Sequence, residues 1–403
     1  MIQIKCIRLR SYKTRWSVCA CVMVVSKSCQ PHHLNLCLRP NDEQNVTQCH
    51  CDNIGMAHTK TPSLDSGHTA SALEGEEWDS LRKDFPSYHG GLVRISPGRW
   101  LYPTRFCDLG NKLYNFKFRK DDVLVMTWPK CGTTWTQEIV WTMRNNPDLD
   151  NPEADAEAID RVPFIDVDMF MPVSEEMVSI SKAFKTLCPG ADLRDGEMIQ
   201  LAEAMASPRT MKTHLPFSLI SPDVMEHAKV VYVARNPKDT MVSYLHHHRL
   251  FREQEFVGSL ESFVDYFVKD DLVYGPYWLH LKEAWQRRDH PNLHFVFYED
   301  LKADIKGELK KLDAFLGTGL SEDQLANVAK YTSFGEMKAR EEKNLDKDYM
   351  NNDAFVNQDV RKKDGGFFRQ GKAGDWKNKL TPELVGKMED WISQKCDFGI
   401  NFA

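Results

Sequence analysis

Val123-Leu124-Val125-Met126-Thr127-Trp128-Pro129-Lys130-Cys131-Gly132-Thr133-Thr134-Trp135 is the stretch whose reading decides the fold. Val123 to Thr127 carry no charge and read as a strand buried on both faces. Pro129 and Gly132 permit a tight turn. Thr133 and Thr134 then open a helix that places Trp135, Ile139 and Met143 on one stripe. Backbone N–H groups and the positive end of the helix dipole converge at such a junction, which makes it a place for an anion. Lys130 adds a full charge there. This is not a nucleotide-hydrolysing P-loop, because G-x-x-x-x-G-K-[ST] needs a second Gly with the Lys after it. Taken alone, a strand-turn-helix with one Gly is structural more often than functional.

Three further segments repeat the theme. Met211-Lys212-Thr213-His214-Leu215-Pro216 reads as a strand end. Lys212 and His214 are two apart and share a face, and Leu215-Pro216 stops the strand and leaves His214 at its C-terminal lip, where ligands bind in open α/β sheets. Val230 to Ala234 form another buried strand that delivers Arg235, followed by Asn236-Pro237-Lys238-Asp239 and a helix bearing Ser243. A guanidinium with a nearby hydroxyl suits a phosphate. Phe367 to Trp376, containing Arg369, Gln370, Gly371 and Lys372, reads as a Gly-rich basic loop able to fold over an anion. His246-His247-His248 does not make a metal site, since consecutive helical residues point in different directions. From about Trp78 onward short β-branched runs alternate with longer helical ones, which predicts an α/β domain with a parallel sheet.

W-P-K-C-G-T-T-W, K-T-H-L-P, V-A-R-N-P-K-D, F-Y-E-D (Phe297 to Asp300), T-S-F-x-x-M (Thr332 to Met337) and R-Q-G-K-A-G-D-W together, in this order, resemble the cytosolic sulfotransferases. The resemblance covers about four-fifths of the chain. It implies a single α/β domain with a central parallel sheet flanked by helices, related to nucleotide kinases. It also implies 3′-phosphoadenosine 5′-phosphosulfate as donor and transfer of its sulfuryl group to a hydroxyl or amine of a small, hydrophobic acceptor. Carried over by position, Lys130, Cys131, Gly132, Thr133 and Thr134 would hold the 5′-phosphosulfate and Trp135 would stack on the adenine. Arg235, Ser243, Arg369, Gln370 and Gly371 would hold the 3′-phosphate, and Tyr298, Thr332, Phe334 and Met337 would line the nucleoside. His214 would be the general base, with Lys130 and Lys212 as the catalytic cations and no metal. Phe164 would wall the acceptor pocket. The 50 residues from Phe164 to His214 exceed the length usual in the vertebrate phenol and steroid enzymes and predict a cap, with Phe170, Met171, Phe184 and Leu187 as candidate lining.

Three positions depart from the pattern. Cys131 stands where Ser is common, and Gln370 replaces a common Lys. The C-terminal dimer pattern K-x-x-x-T-V-x-x-x-E reads here as Lys377, Thr381, Pro382 and Gly386, so a monomer or weak homodimer is expected.

The front end has different statistics. Of the 403 residues, 1–41 contain no Asp or Glu, and seven of the eleven cysteines lie in the first 51. Basic residues precede the short apolar run Trp16 to Val25, and Asn45-Val46-Thr47 is a sequon. The Cys and His of 29–51 match no paired zinc-ligand pattern. Residues 1–76 are therefore expected to be a disordered or processed extension and linker, with 77–403 the catalytic domain. A net charge of −6 argues against nucleic-acid binding. No apolar run is long enough to span a bilayer, and the four sparse cysteines of the body fit a reducing, cytoplasmic setting. Two competing readings remain at this stage: a secretory-pathway sulfotransferase of proteins or glycans, and a nucleotide-binding protein without turnover.

Overall fold

The structure, a computed structural model, describes residues 4–10, 17–23, 63–171, 179–344 and 351–402. The chain divides into two compact units, residues 1–59 and 60–403. In the first, β1 (Ile4–Arg10) pairs antiparallel with β2 (Ser17–Met23). The cysteine-rich segment 29–51 and the sequon lie outside the described residues.

The second unit holds two sheets. β3 (Thr69–Ala72), β4 (Leu92–Ser96) and β5 (Trp100–Pro103) form an antiparallel meander. β3 falls in the stretch that composition assigns to a linker, so the ordered unit starts well ahead of residue 77. A short edge strand needs only one buried face, and Ala70 supplies it here among Ser and Thr.

The second sheet is parallel throughout, in the order β7-β6-β8-β9, from β6 (Val123–Thr127), β7 (Thr210–Thr213), β8 (Lys229–Ala234) and β9 (Leu293–Phe297). Its alternation divides two cores. Val123, Val125, Val231 and Val233 face one apolar cluster with Ile139, Met143, Leu309, Leu312, Leu325 and Val328. Leu124, Met126, Val230, Tyr232 and Ala234 face a larger one with Tyr244, Phe263, Tyr277 and Trp278. Burial on both faces explains why β6 and β8 read as unbroken apolar runs. The stripe predicted for helix Thr133–Asn145 packs as expected, with Ile139 and Met143 buried and Trp135 against the same cluster.

β6 is central, with β7 on one side and β8 on the other, so connections leave it in both directions. Such a switch point opens a crevice beyond the carboxyl ends of the strands. Each strand ends on a residue singled out by sequence: β6 on the Lys130 turn, β7 on His214, β8 on Arg235 and β9 on Tyr298. The stretch expected to form a cap folds into the turn Val167–Phe170 and helices Lys182–Leu187 and Glu197–Ala204. It has a small core of its own, Phe184, Met198 and Leu201.

Candidate active site

The turn after β6 is built by two left-handed residues, Lys130 at φ 65° and Gly132 at φ 108°. Gly132 is required twice over, because a Cβ there would lie 2.8 Å from Tyr298 Cδ2. Helix Thr133–Asn145 begins without a side-chain cap and without an acid in its first turn. Its first N–H groups have no partner within the helix and face the turn. The Cys131 side chain, by contrast, is buried away from the turn. Its Sγ sits 3.6 Å from Thr240 Oγ1, and burial pushes the thiol up to about 12. The side chain is therefore withdrawn from the turn, and its backbone alone lines it.

The cations converge. Lys130 is pulled down to about 7, first by burial and then by repulsion from Lys212, Arg235 and Arg369, which Glu341 does not offset. Its Nζ lies 4.0 Å over the Phe367 ring. Lys212 is lowered by burial to about 8, with Nζ 4.2 Å over Phe164. Arg235 donates to the carbonyls of Lys130 (3.0 Å) and Lys372 (3.1 Å) and lies over the Tyr298 ring, but its buried Nε has no partner. Trp135 meets Tyr298 edge to face, and its buried Nε1 is likewise without a partner. A cation cluster that its neighbouring acids only partly offset, orphaned buried donors and a glycine cradle are what a polyanionic nucleotide would satisfy.

The basic loop is held by a residue that motif reading did not use. Asp239, at the start of helix Pro237–Leu250, accepts from the N–H groups of Gly374 (2.6 Å) and Trp376 (3.1 Å). Arg369 pairs with Asp375 at 2.7 Å. Gly371, at φ 61°, comes so close to Phe334 that a Cβ would overlap its ring. Gln370 points to solvent and Ser243 is half-buried on its helix. Met337 is buried, and the Thr332 hydroxyl donates back to the Val328 carbonyl at 2.8 Å. The His246–His248 run disperses as expected: His246 donates to Gly366, His248 donates to Gln254, and His247 packs on Phe251. No metal-ligating cluster occurs among the described residues.

His214 is buried at the lip of β7. Its Nδ1–H donates to the Thr127 carbonyl at 2.9 Å, so the lone pair of the neutral ring is on Nε2. Burial, then Lys212, hold its pKa well below 6.5, so the ring is neutral at physiological pH. The Thr127 hydroxyl is shared with Thr133 Oγ1 at 2.6 Å, which ties the histidine to the first turn of the anion-site helix. His280 donates from Nε2 to the His214 carbonyl and accepts from the Tyr232 hydroxyl. The rings of Phe164 and Tyr274 wall the imidazole edge to face at 5.1 and 5.4 Å. Thr127, Tyr274 and His280 were not legible as site residues, because they come from elements far apart in sequence. The lining expected of the cap is corrected in part. Phe170 stands 5.9 Å from Tyr274, but Phe184 is in the cap's own core and Leu187 is exposed. Both sit on a helix whose inward face packs on the cap rather than on the sheet.

Comparison with known proteins agrees with this geometry. The sulfotransferase domain family matches residues 120–398. Sulfotransferase 1C2 of Homo sapiens is 33% identical over 73% of this chain and 90% of its own length. Luciferin sulfotransferase of Photinus pyralis is 30% identical over 72% and 76% respectively. Among solved structures, retinol dehydratase in complex with retinol and PAP superposes with a TM-score of 0.68 at 28% identity, covering 83% of this chain and 99% of that one. The same enzyme with androsterone and PAP gives 0.68 at 27%. A family match over residues 120–398 and a relative 33% identical over 73% of the chain make it a member of the sulfotransferase family and a sulfotransferase enzyme.

Proposed function

We propose that the enzyme sulfates a hydroxyl of a small apolar acceptor, such as a phenol, sterol or polyene alcohol, with His214 as general base. The observation that carries the reading is the His214 ring. Its tautomer is set by Thr127, it is kept neutral by burial, and its Nε2 lone pair lies among Lys212, Lys130 and aromatic walls. Sulfotransferases draw on 3′-phosphoadenosine 5′-phosphosulfate, and the orphaned donors and cation cluster here fit that group. When bound, it supplies a sulfuryl group already joined to a phosphate leaving group. The Lys130 turn and the first amides of helix Thr133–Asn145 hold the phosphosulfate end. Arg235, Ser243, Arg369 and the Gly371 backbone hold the 3′-phosphate, and Trp135, Tyr298, Phe334 and Met337 flank the nucleoside.

His214 Nε2 takes the proton of the acceptor hydroxyl as it attacks. Lys212 holds the sulfonate, and Lys130 stabilises charge on the departing oxygen. A sulfonate carries less charge than a terminal phosphoryl, so two ammonium groups serve where kinases use Mg²⁺. Phe164, Phe170 and Tyr274 form an apolar wall beside His214. The steroid and the polyene alcohol bound by retinol dehydratase support an acceptor of that kind. The test incubates the full chain and the sulfate donor with phenols, catecholamines, sterols and long-chain polyene alcohols, with and without a chelator. Sulfated product from an apolar alcohol or phenol, unchanged by the chelator, is the expected result. Donor binding without product from any acceptor would instead point to a nucleotide-binding protein without turnover.

A further inference from the structure

Every group so far placed at the transfer point is a cation or a neutral ring. Behind them lies a carboxylate that the mechanism above does not use. Asp166 is fully buried, and its hydrogen-bond donors are all uncharged. It accepts from three donors on two elements. The Thr213 hydroxyl gives Oδ1 a bond of 2.7 Å, the Tyr274 hydroxyl gives Oδ2 one of 2.7 Å, and the His214 N–H is 3.3 Å from both oxygens.

Its position follows from the chain. Residues 163–165 lie parallel against β7, with Lys212 N–H donating to the Pro163 carbonyl (3.0 Å) and Ile165 N–H to the Lys212 carbonyl (3.1 Å). That pairing puts Phe164 under the Lys212 ammonium and Asp166 behind the His214 backbone.

We propose that Asp166 is a positioning residue of the transfer site. From behind the lip it fixes Tyr274 and the His214 backbone, and it sets a carboxylate behind the strand end that carries Lys212. The inference rests on the reading of Lys212 as the cation that holds the sulfonate.

The physical case has two parts. First, the groups around Lys212 are poor company for a buried ammonium. Lys130 faces it from the β6 turn and His214 follows on its own strand, with His280 behind that ring. The carboxylate whose charge opposes the desolvation of Lys212 is Asp166. Second, the carboxylate is in the one place where it helps without harm. An acid in direct contact with Lys212 Nζ would occupy the ammonium and repel the incoming anion. Asp166 spends its lone pairs on Thr213, Tyr274 and the backbone, so the ammonium stays free while the field reaches it through a dry interior. Burial raises Asp166 to about 6, and its three hydrogen bonds pull the other way, so it is ionised at neutral pH. Tyr102, facing the same carboxylate from β5, is held neutral by burial and by that charge.

The experiment reads Lys212 directly and needs no turnover. The full chain, without donor, is acylated briefly with acetic anhydride across a pH series, and mass spectrometry follows each lysine. Only the neutral amine reacts, so each midpoint reports that lysine's pKa. Asp166→Asn should move the Lys212 midpoint down by about one pH unit. Lys130, which the Lys212 ammonium repels, should move the other way as Lys212 loses charge, and lysines remote from the site serve as the internal reference. Asp166→Glu, which retains the charge, stays closer to wild type than Asp166→Asn. An unmoved Lys212 midpoint in folded Asp166→Asn overturns the proposal, whatever happens to turnover. Should Asp166→Asn fail to fold, Tyr274→Phe combined with Thr213→Val removes two donors to the carboxylate. The carboxyl pKa then rises toward that of Lys212, so Lys212 should become more reactive at the acid end of the series; unchanged reactivity there also overturns it. The alkaline limb of kcat should follow the Lys212 midpoint to lower pH in Asp166→Asn. A shifted midpoint with an unshifted limb overturns the assignment of Lys212 to the transfer step, and the positioning role with it.

Discussion

At the scale of single residues, the site works by keeping charges unsatisfied until the donor arrives. Lys130 at about 7 is only partly protonated at physiological pH, because burial and three neighbouring cations oppose its charge. A bound polyanion reverses that balance and raises its pKa. Binding of PAP at pH 7.5 should therefore take up a substantial fraction of a proton. Calorimetry in buffers of different ionisation enthalpy measures it, and Lys130→Met should abolish most of it. His214 carries the opposite design, a ring locked by Thr127 and kept neutral. His214→Asn should lower kcat by about 10²–10⁴-fold, the usual contribution of a general base, while PAP affinity changes little. A comparable loss of PAP affinity would remove His214 from the acceptor side. The roles of His214, Lys130 and Asp239 differ in what motifs reveal. All three stand inside short signatures, but the role of Asp239 was not legible there, because an acid in the first turn of a helix is ordinary.

At the scale of elements, the proposed donor site is a meeting of loops at the carboxyl ends of the parallel strands. The β6 turn is shaped by its own residues, since Lys130 and Gly132 adopt left-handed backbone that few neighbours tolerate. The loop 369–376 has no such local logic. It is fastened by Asp239, through the backbone N–H groups of Gly374 and Trp376, and it closes on Phe334 at Gly371. Asp239→Asn removes one acceptor of two charge-assisted bonds, each worth about 1.5–3 kcal/mol. The donor KM should rise by about 10- to 100-fold, with the acceptor KM little changed in initial-rate measurements. An equal rise in both would mean that the loop serves the whole crevice. The cap divides in the same way. Its helices were legible as added length between Phe164 and His214, but which of its apolar residues face inward was not. Phe184 and Leu187 have the composition of a pocket wall, and the helix turns one into the cap core and the other to solvent.

At the scale of the whole molecule, residues 60–403 form one compact unit that contains every group assigned to chemistry. We propose that this unit is the complete catalytic domain, starting ahead of the boundary at 77 suggested by composition. A chain of residues 60–403 should keep the Tm and kcat of the full chain. A chain begun at residue 77 loses β3 from its sheet and should melt at lower temperature, as differential scanning calorimetry would show.

The sequence by itself determined the α/β class, the order of the strand ends and the chemistry each delivers. These are local properties: a buried strand, a turn that needs glycine and a helix start can be read from a dozen adjacent residues. Lys130, His214 and Arg235 were legible because each sits at such a junction. The tertiary structure alone decided which charges act on one another and where the silent partners come from. Thr127 sets the tautomer of a histidine 87 residues away, and Asp166 and Tyr274 meet across 108 residues. Hydrogen bonds and buried fields depend on distance through space, and only the packed sheet brings those groups within reach.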